Sequence, residues 1–204
     1  SMQGKSVEVV DEATGRVIGQ VDPSAADRTL HPEAIYVHQG ETWFVDELDL
    51  GDRVALAHRA DPNWFTQAQS VASVRILSES GSRRLGVGSL HRGSVELSNQ
   101  VVAYLRRDAE TGEVWDSTPL EFPERRMVTR ATWWTIPDSV LASLSGAVGL
   151  DLGGAAHAAE HCAIGLLPAF VPCDRWDIGG LSTVIHPDTG QLTVFVHDGL
   201  PGGS

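Results

Sequence analysis

Gly153-Gly154-Ala155-Ala156-His157-Ala158-Ala159-Glu160-His161-Cys162-Ala163-Ile164-Gly165-Leu166-Leu167 decides the fold class. Its only charged residue is Glu160, so a helix over about residues 153–167 is apolar nearly all round and should be buried. Upstream, Pro137-Asp138 opens a shorter helix through Leu144, with Asp138 as the expected N-terminal cap. Strand-like runs surround both: residues 94–105, 120–122 and 127–136 before them, with Thr111-Gly112 as a loop tip. After them come a loop over 172–180 and a hairpin, 181–185 and 191–197, around Asp188-Thr189-Gly190. Buried helices on a mixed or antiparallel sheet make this part α+β.

Further towards the N-terminus the signals are all β. Residues 7–10 and 16–21 flank the turn signature Ala13-Thr14-Gly15, and residues 35–37 and 42–45 flank His38-Gln39-Gly40. Residues 53–58 alternate polar and apolar, and 70–77 do so less cleanly. Pro23 to Thr29 can form one helical turn, with Asp22 as its cap. Together these predict a small barrel or sandwich-like module over residues 4–78. Ser78-Glu79-Ser80-Gly81-Ser82 is the linker candidate, so 79–82 is expected to join this module to the α+β module of residues 83–204. Ser1 before Met2 reads as the scar of a cleaved tag, and 1–3 are set aside. The glycines after Gly199 read as a turn leading into something further.

The chain has 204 residues, 42% of them hydrophobic and 21% charged, enough apolar material for a core. No apolar stretch reaches the roughly 18 residues of a membrane span, and nothing resembles a signal peptide. Two cysteines, Cys162 and Cys173, make neither a disulfide framework nor a four-cysteine zinc site, and a reducing cytoplasm is the simplest setting. The formal charge of −12 would repel phosphate backbones unless arginines gather on one face.

Arginine supplies 14 of the 15 basic residues. Arg83, Arg84, Arg92, Arg106, Arg107, Arg125, Arg126 and Arg130 share one stretch, where eight arginines meet seven acids in an otherwise acidic chain. They are the candidate nucleic-acid contacts, although solvated strand ends account for any single pair. Trp133-Trp134 should point one ring inward and one outward.

Three motifs compete with that reading. Gly4-Lys5-Ser6 imitates the end of a phosphate-binding loop but lacks the preceding glycine and the following helix. His157-Ala158-Ala159-Glu160-His161 fits an inverted zinc-hydrolase pattern, with two histidines one turn apart and a glutamate to activate water. It lacks a clear third ligand, and two buried histidines bonded to neighbouring loops are the plainer expectation. In Cys173-Asp174-Arg175-Trp176-Asp177-Ile178-Gly179-Gly180, Asp174 and Asp177 around Arg175 can pin a loop, with the glycines allowing close approach or positive φ.

Several strings converge on one family. Leu30-His31-Pro32-Glu33-Ala34-Ile35-Tyr36-Val37-His38-Gln39-Gly40 and Glu47-Leu48-Asp49 resemble a stretch that follows the motor domains of certain DEAD/DEAH-box DNA helicases. These are the bacterial mitomycin-repair helicases and their fungal RecQ-like relatives. Glu160-His161 through Leu166-Leu167-Pro168, the Cys173 to Gly180 string, and Val194-Phe195-Val196-His197-Asp198-Gly199 with Pro201-Gly202-Gly203 look like their C-terminal zinc-binding domain. Departures are few: Glu33 stands where relatives tend to have glycine, and Trp64-Phe65 and Gln69 replace a tyrosine pair and an arginine.

The resemblance implies a parent that translocates 3′ to 5′ on single-stranded DNA in DNA repair, using ATP, magnesium and zinc. It implies that this chain is a non-catalytic C-terminal module bracing the motor domains of the same chain and walling the DNA channel. In that family the ATP motifs lie upstream and a four-cysteine zinc cluster lies beyond the Gly-Gly turn. Here His157, His161, Cys173, Asp174, Arg175, Asp177, Gly179, Gly180 and Asp198 would then be structural, with no catalytic residue and no metal ligand. The alternatives are the zinc-dependent hydrolase and a protein-interaction module.

Overall fold

A computed structural model describes residues 6–144, 151–170, 173 and 177–199. It divides into two compact units, Ser1–Val71 with Gln100–Glu124 and Ala72–Asn99 with Arg125–Ser204.

The first unit is built on hairpins whose turns follow from their residues. β1 (Val7–Asp11) and β2 (Val17–Val21) are antiparallel, joined where Gly15 takes φ 68°. The Asp11 carboxylate holds that turn by accepting from the Ala13 amide at 3.1 Å and the Thr14 hydroxyl at 2.7 Å. β3 (Ile35–His38) and β4 (Glu41–Asp49) meet through Gln39 and Gly40 at φ 51° and 80°. Two successive positive values are the type I′ arrangement whose twist suits a hairpin. β5 (Val54–Arg59) completes the order β2-β1-β5-β4-β3, with β1 and β5 parallel. The sheet curls until Gly19 on one edge strand faces the other; a Cβ there would stand 2.6 Å from the Tyr36 hydroxyl. Alternate residues Val7, Val9, Trp43, Val45, Ala55 and Ala57 fill the core with Leu30 and Ala34. The short helix α1 (Ala26–Thr29) begins later than expected. Asp22 accepts from the Ser24 amide at 2.8 Å, so it shapes the preceding turn while Ala25 occupies the cap.

β6 (Trp64–Leu85) and β7 (Gly88–Asp108) are long neighbouring strands that run through the boundary between the units. The expected connector 79–82 is therefore strand. Ser80 donates to the Arg92 carbonyl at 3.2 Å, and Gly93 lies so close to the Ser78 carbonyl that no side chain fits between them. β8 (Val114–Pro119) pairs with the end of β7 and stops at Pro119, so residues 120–122 form no strand. Within the first unit Tyr104 on β7 stacks on buried His31 at 4.6 Å and donates to Glu33.

In the second unit β9 (Arg125–Ile136) pairs with β7 over Ser89–Asn99. β11 (Leu192–Asp198) follows on β9, and β10 (Ile178–Thr183) forms the edge. Gly179 and Gly180, expected in a loop, thus belong to an edge strand. One face of this sheet buries Trp133 between His91 and Phe195, with Val95 and Val74. His186 fastens β6 to this core, its Nε2 lying 2.8 Å from the Val74 carbonyl. The other face carries α2 (Asp138–Leu144) and α3 (Leu152–Leu166), which continues into a 3-10 turn, Leu167–Ala169.

α3 starts where Asp151 accepts from the Gly154 amide at 3.0 Å. It is not buried all round. Only Ala156, Glu160 and Ile164, spaced by four residues along one face, are covered, while Leu166 and Phe170 beyond it are exposed. The helix's single charge is thus its inward one. Alanines and glycines take the open side because they carry little apolar surface.

Candidate nucleic-acid interface

Strand alternation sorts the arginines. In the β7–β9 register Arg92 stands opposite Thr132, Ser94 opposite Arg130 and Ser98 opposite Arg126. Side chains on directly opposed residues share a face, so Arg92, Arg126 and Arg130 project from the face that also carries α3. Arg75 on β6 joins them through Glu96, which accepts from it at 3.0 Å and lies 3.9 Å from Arg126. Arg125 pairs with Asn99 and belongs to the opposite face.

A groove of about 1000 Å³ runs between this face and α3. Its floor includes Arg92, Arg130, Thr132, Trp134 and Val196, and its helical wall is Ala159, Ala163 and Leu167. Cys173, Asp177, His197 and Asp198 close one side. Trp134 is the outward ring of the tryptophan pair, while Trp133 is the buried one. The Trp134 indole Nε1 is buried with no hydrogen-bond partner among the described residues. A second hollow of about 440 Å³ adjoins, lined by Gly81, Ser82, Arg83 and, shared with the first, Leu90 and Arg92. Neither Arg92 nor Arg130 has a carboxylate partner among the described residues.

The remaining candidate arginines are placed differently. Arg84 is exposed. Arg106 and Arg107 lie in the first unit. Arg106 forks onto Asp116 and covers the Trp64 ring at 5.4 Å, and its hydrogen bonds hold the Asp116 carboxyl below its ordinary range. Arg107 donates to Gln67 at 2.6 Å and to the Gly112 carbonyl at 2.8 Å. Sequence reasoning missed Arg75, an isolated arginine whose place on the face shows only in its pairing with Glu96.

The histidine motif differs from both expectations. His157 and His161 are exposed, and their Nε2 atoms lie 3.1 Å apart with the rings at 89°. Glu160 is turned to the sheet, accepting from the Ser182 hydroxyl at 2.7 Å and packing beside Gly180, while its carboxylate stays 3.4 Å from Nδ1 of His157. The Glu160 side chain is 9% exposed, and its carboxylate is engaged by Ser182.

The two glycines of the Cys173–Gly180 string are explained by close approach, not by positive φ. Gly179 lies under the His197 ring, and Gly180 lies under Glu160 and Ile164. The Asp177 carbonyl accepts from Gly199 at 2.6 Å, and the Asp198 carbonyl accepts from Thr129 at 3.2 Å. Burial pushes the His197 imidazole below its ordinary value, against smaller opposing effects of the Asp198 carbonyl and the Glu160 charge. Asp174 and Arg175 lie outside the described residues, and so does the loop network expected of them.

Residues 159–204 match the family model described as MZB, the MrfA Zn-binding domain. Over 206 residues the chain is 28% identical to the uncharacterized ATP-dependent helicase YprA of Bacillus subtilis, covering 100% of this chain and 27% of that protein. It is 25% identical over 167 residues to the ATP-dependent helicase hrq1 of Schizosaccharomyces pombe, covering 79% and 15%. The crystal structure of the DUF1998 helicase MrfA bound to DNA superposes with a TM-score of 0.75 at 27% identity, over 98% of this chain and 26% of that one. MrfA bound to DNA and AMPPNP gives 0.67. The chain is thus homologous to a C-terminal region of MrfA-like DUF1998 helicases, and it spans about a quarter of the length of YprA and MrfA.

The matched family binds zinc, and a structural zinc site is closed by four ligands. Cys162 is exposed and Cys173 half-buried, both as free thiols. Among the described residues the one trio of donors within 4.8 Å is Glu12, Asp46 and His58, all exposed and in the other unit. The described residues of 159–204 therefore do not fit a structural zinc site.

Proposed function

We propose that this chain is the non-catalytic C-terminal module of an ATP-dependent 3′ to 5′ DNA helicase of DNA repair. In this reading it braces the motor domains of its parent and forms part of the wall along which single-stranded DNA runs. ATP, magnesium and zinc belong to the parent's machinery. The observation that carries the reading is the presence of Arg92 and Arg130 in one open groove, with Arg83 in the adjoining hollow, in a chain whose net charge is −12. A groove lined by guanidinium groups and an indole suits a flexible strand whose phosphates and bases are both accessible. The DNA-bound state of the MrfA structures supports the same partner.

Fluorescence anisotropy of a labelled single-stranded oligonucleotide against the 204-residue chain tests this. Changing Arg92 and Arg130 together to alanine should weaken binding and flatten its salt dependence by about 1.4 in log K against log salt, at ~0.7 per lost contact. Arg106→Ala should leave the slope where it was. Equal slopes for the chain and the double variant, or no binding by the chain at low salt, would overturn the placement.

A further inference from the structure

We propose that His157 and His161 form a two-point clamp for a divalent late first-row transition ion on the open side of α3, separate from any site of the matched zinc-binding family. The proposal rests on distances within this helix and is independent of the DNA reading. Histidines at i and i+4 share a helix face, but their ring nitrogens must also converge. Here the two Nε2 atoms are 3.1 Å apart. With metal–imidazole bonds of about 2.0–2.1 Å, one ion can reach both nitrogens at an angle between square-planar and tetrahedral. The 3.1 Å contact is a hydrogen bond between the two rings, so the proton they share must leave and both lone pairs must turn to the ion for the bite to form. Both rings are exposed, so water can complete the coordination shell.

The surroundings supply the support such ligands need. The Glu160 carboxylate lies 3.4 Å from Nδ1 of His157, the ring nitrogen not used for the metal. The contact is a charge approach and not a hydrogen bond, so Glu160 supports the site through the negative charge it places beside the His157 ring. Glu160 is itself held by Ser182 and by the bare backbone of Gly180, so it is a fixed support for the ring. Imidazole pairs select zinc, nickel or copper over magnesium and calcium, which prefer oxygen. A third protein ligand is absent among the described residues, which makes the clamp an exchangeable site rather than a structural one.

The test is titration of the intact 204-residue chain with nickel chloride followed by calorimetry, with magnesium chloride as a parallel probe. One saturable nickel ion per chain is expected, and no magnesium uptake. His157→Ala and His161→Ala should each abolish that event. Glu160→Gln, which keeps the bond to Ser182, should weaken it by about tenfold or more. His58→Ala, in the exposed Glu12–Asp46–His58 trio, should leave it unchanged. Circular dichroism of each variant establishes that α3 is still formed. Saturable nickel binding that survives both α3 histidine changes, or the absence of any event with the unaltered chain, overturns the proposal.

Discussion

His31 shows how much one side chain can be asked to tolerate. It is fully buried, its Nδ1 lies 2.9 Å from the Pro32 carbonyl, and its Nε2 has no partner among the described residues. Burial lowers its pKa, against smaller upward pushes from that carbonyl and from the Glu33 charge. His197 in the other unit is lowered for the same reason. In the folded chain both rings resist protonation, whereas in the unfolded chain they titrate near 6.5. As pH falls through that value the unfolded state takes up protons that the folded state does not, so stability is complete above about 6.5 and lost below it. Urea midpoints should therefore be lower at pH 5.5 than at pH 7.5, and the difference should shrink in His31→Gln. An unchanged difference in that variant would assign the acid sensitivity elsewhere. The neighbouring Glu33 has φ 68°, the left-handed region where glycine is at ease. The Tyr104 hydroxyl that donates to Glu33 helps hold it in that conformation.

At the scale of elements, α3 is held on its sheet by the absence of side chains. A Cβ on Gly180 would lie 2.7 Å from Cγ of Glu160 and 2.9 Å from Cδ1 of Ile164. Gly180→Ala should thus cost about 1–3 kcal/mol by pushing the helix off β10. Gly165 lies within the same helix with nothing within 4 Å of an added Cβ, so Gly165→Ala should stabilise by about 0.5–1 kcal/mol through backbone entropy alone. Thermal unfolding of the two variants should move in opposite directions; a fall in both would mean that the helix tolerates neither. Hairpins were legible in the sequence because their turns are local: Gly15, Gly40, Gly112 and Gly190 all take positive φ at the expected tips. The inward turn of Glu160 was not, because its partner Ser182 lies 22 residues away and only packing brings them together. Arginine pairs in sequence were equally opaque. Alternation along β9 sends Arg125 and Arg126 to opposite faces, so the groove collects arginines from different strands.

For the whole molecule, the serine-rich run 78–82 lies inside β6, within the second of the two compact units. It reads as a linker by composition, yet it is continuous strand beside β7 and carries no break. Each unit is assembled from two separate stretches of chain, so neither can be cut out at one point. Residues 1–78 alone would lack Gln100–Glu124 of their own unit. The loss includes Tyr104, which covers His31, and the neighbour that β7 provides for β6. Residues 83–204 alone would lack Val74, Ile76 and the strand that carries them, leaving one side of the Trp133 cluster open. Both pieces should therefore fail to unfold cooperatively and should give collapsed amide proton spectra, while the intact chain gives dispersed ones. A well-dispersed spectrum from residues 1–78 would show that the first unit needs neither Tyr104 nor β7. The two-stretch division would then describe proximity and not folding dependence. The expected failure bears on binding studies: Arg92 lies on β7, whose neighbour β6 begins at Trp64, and Arg130 lies on β9 beyond it, so the arginine-bearing groove should be assayed in a chain that contains both units.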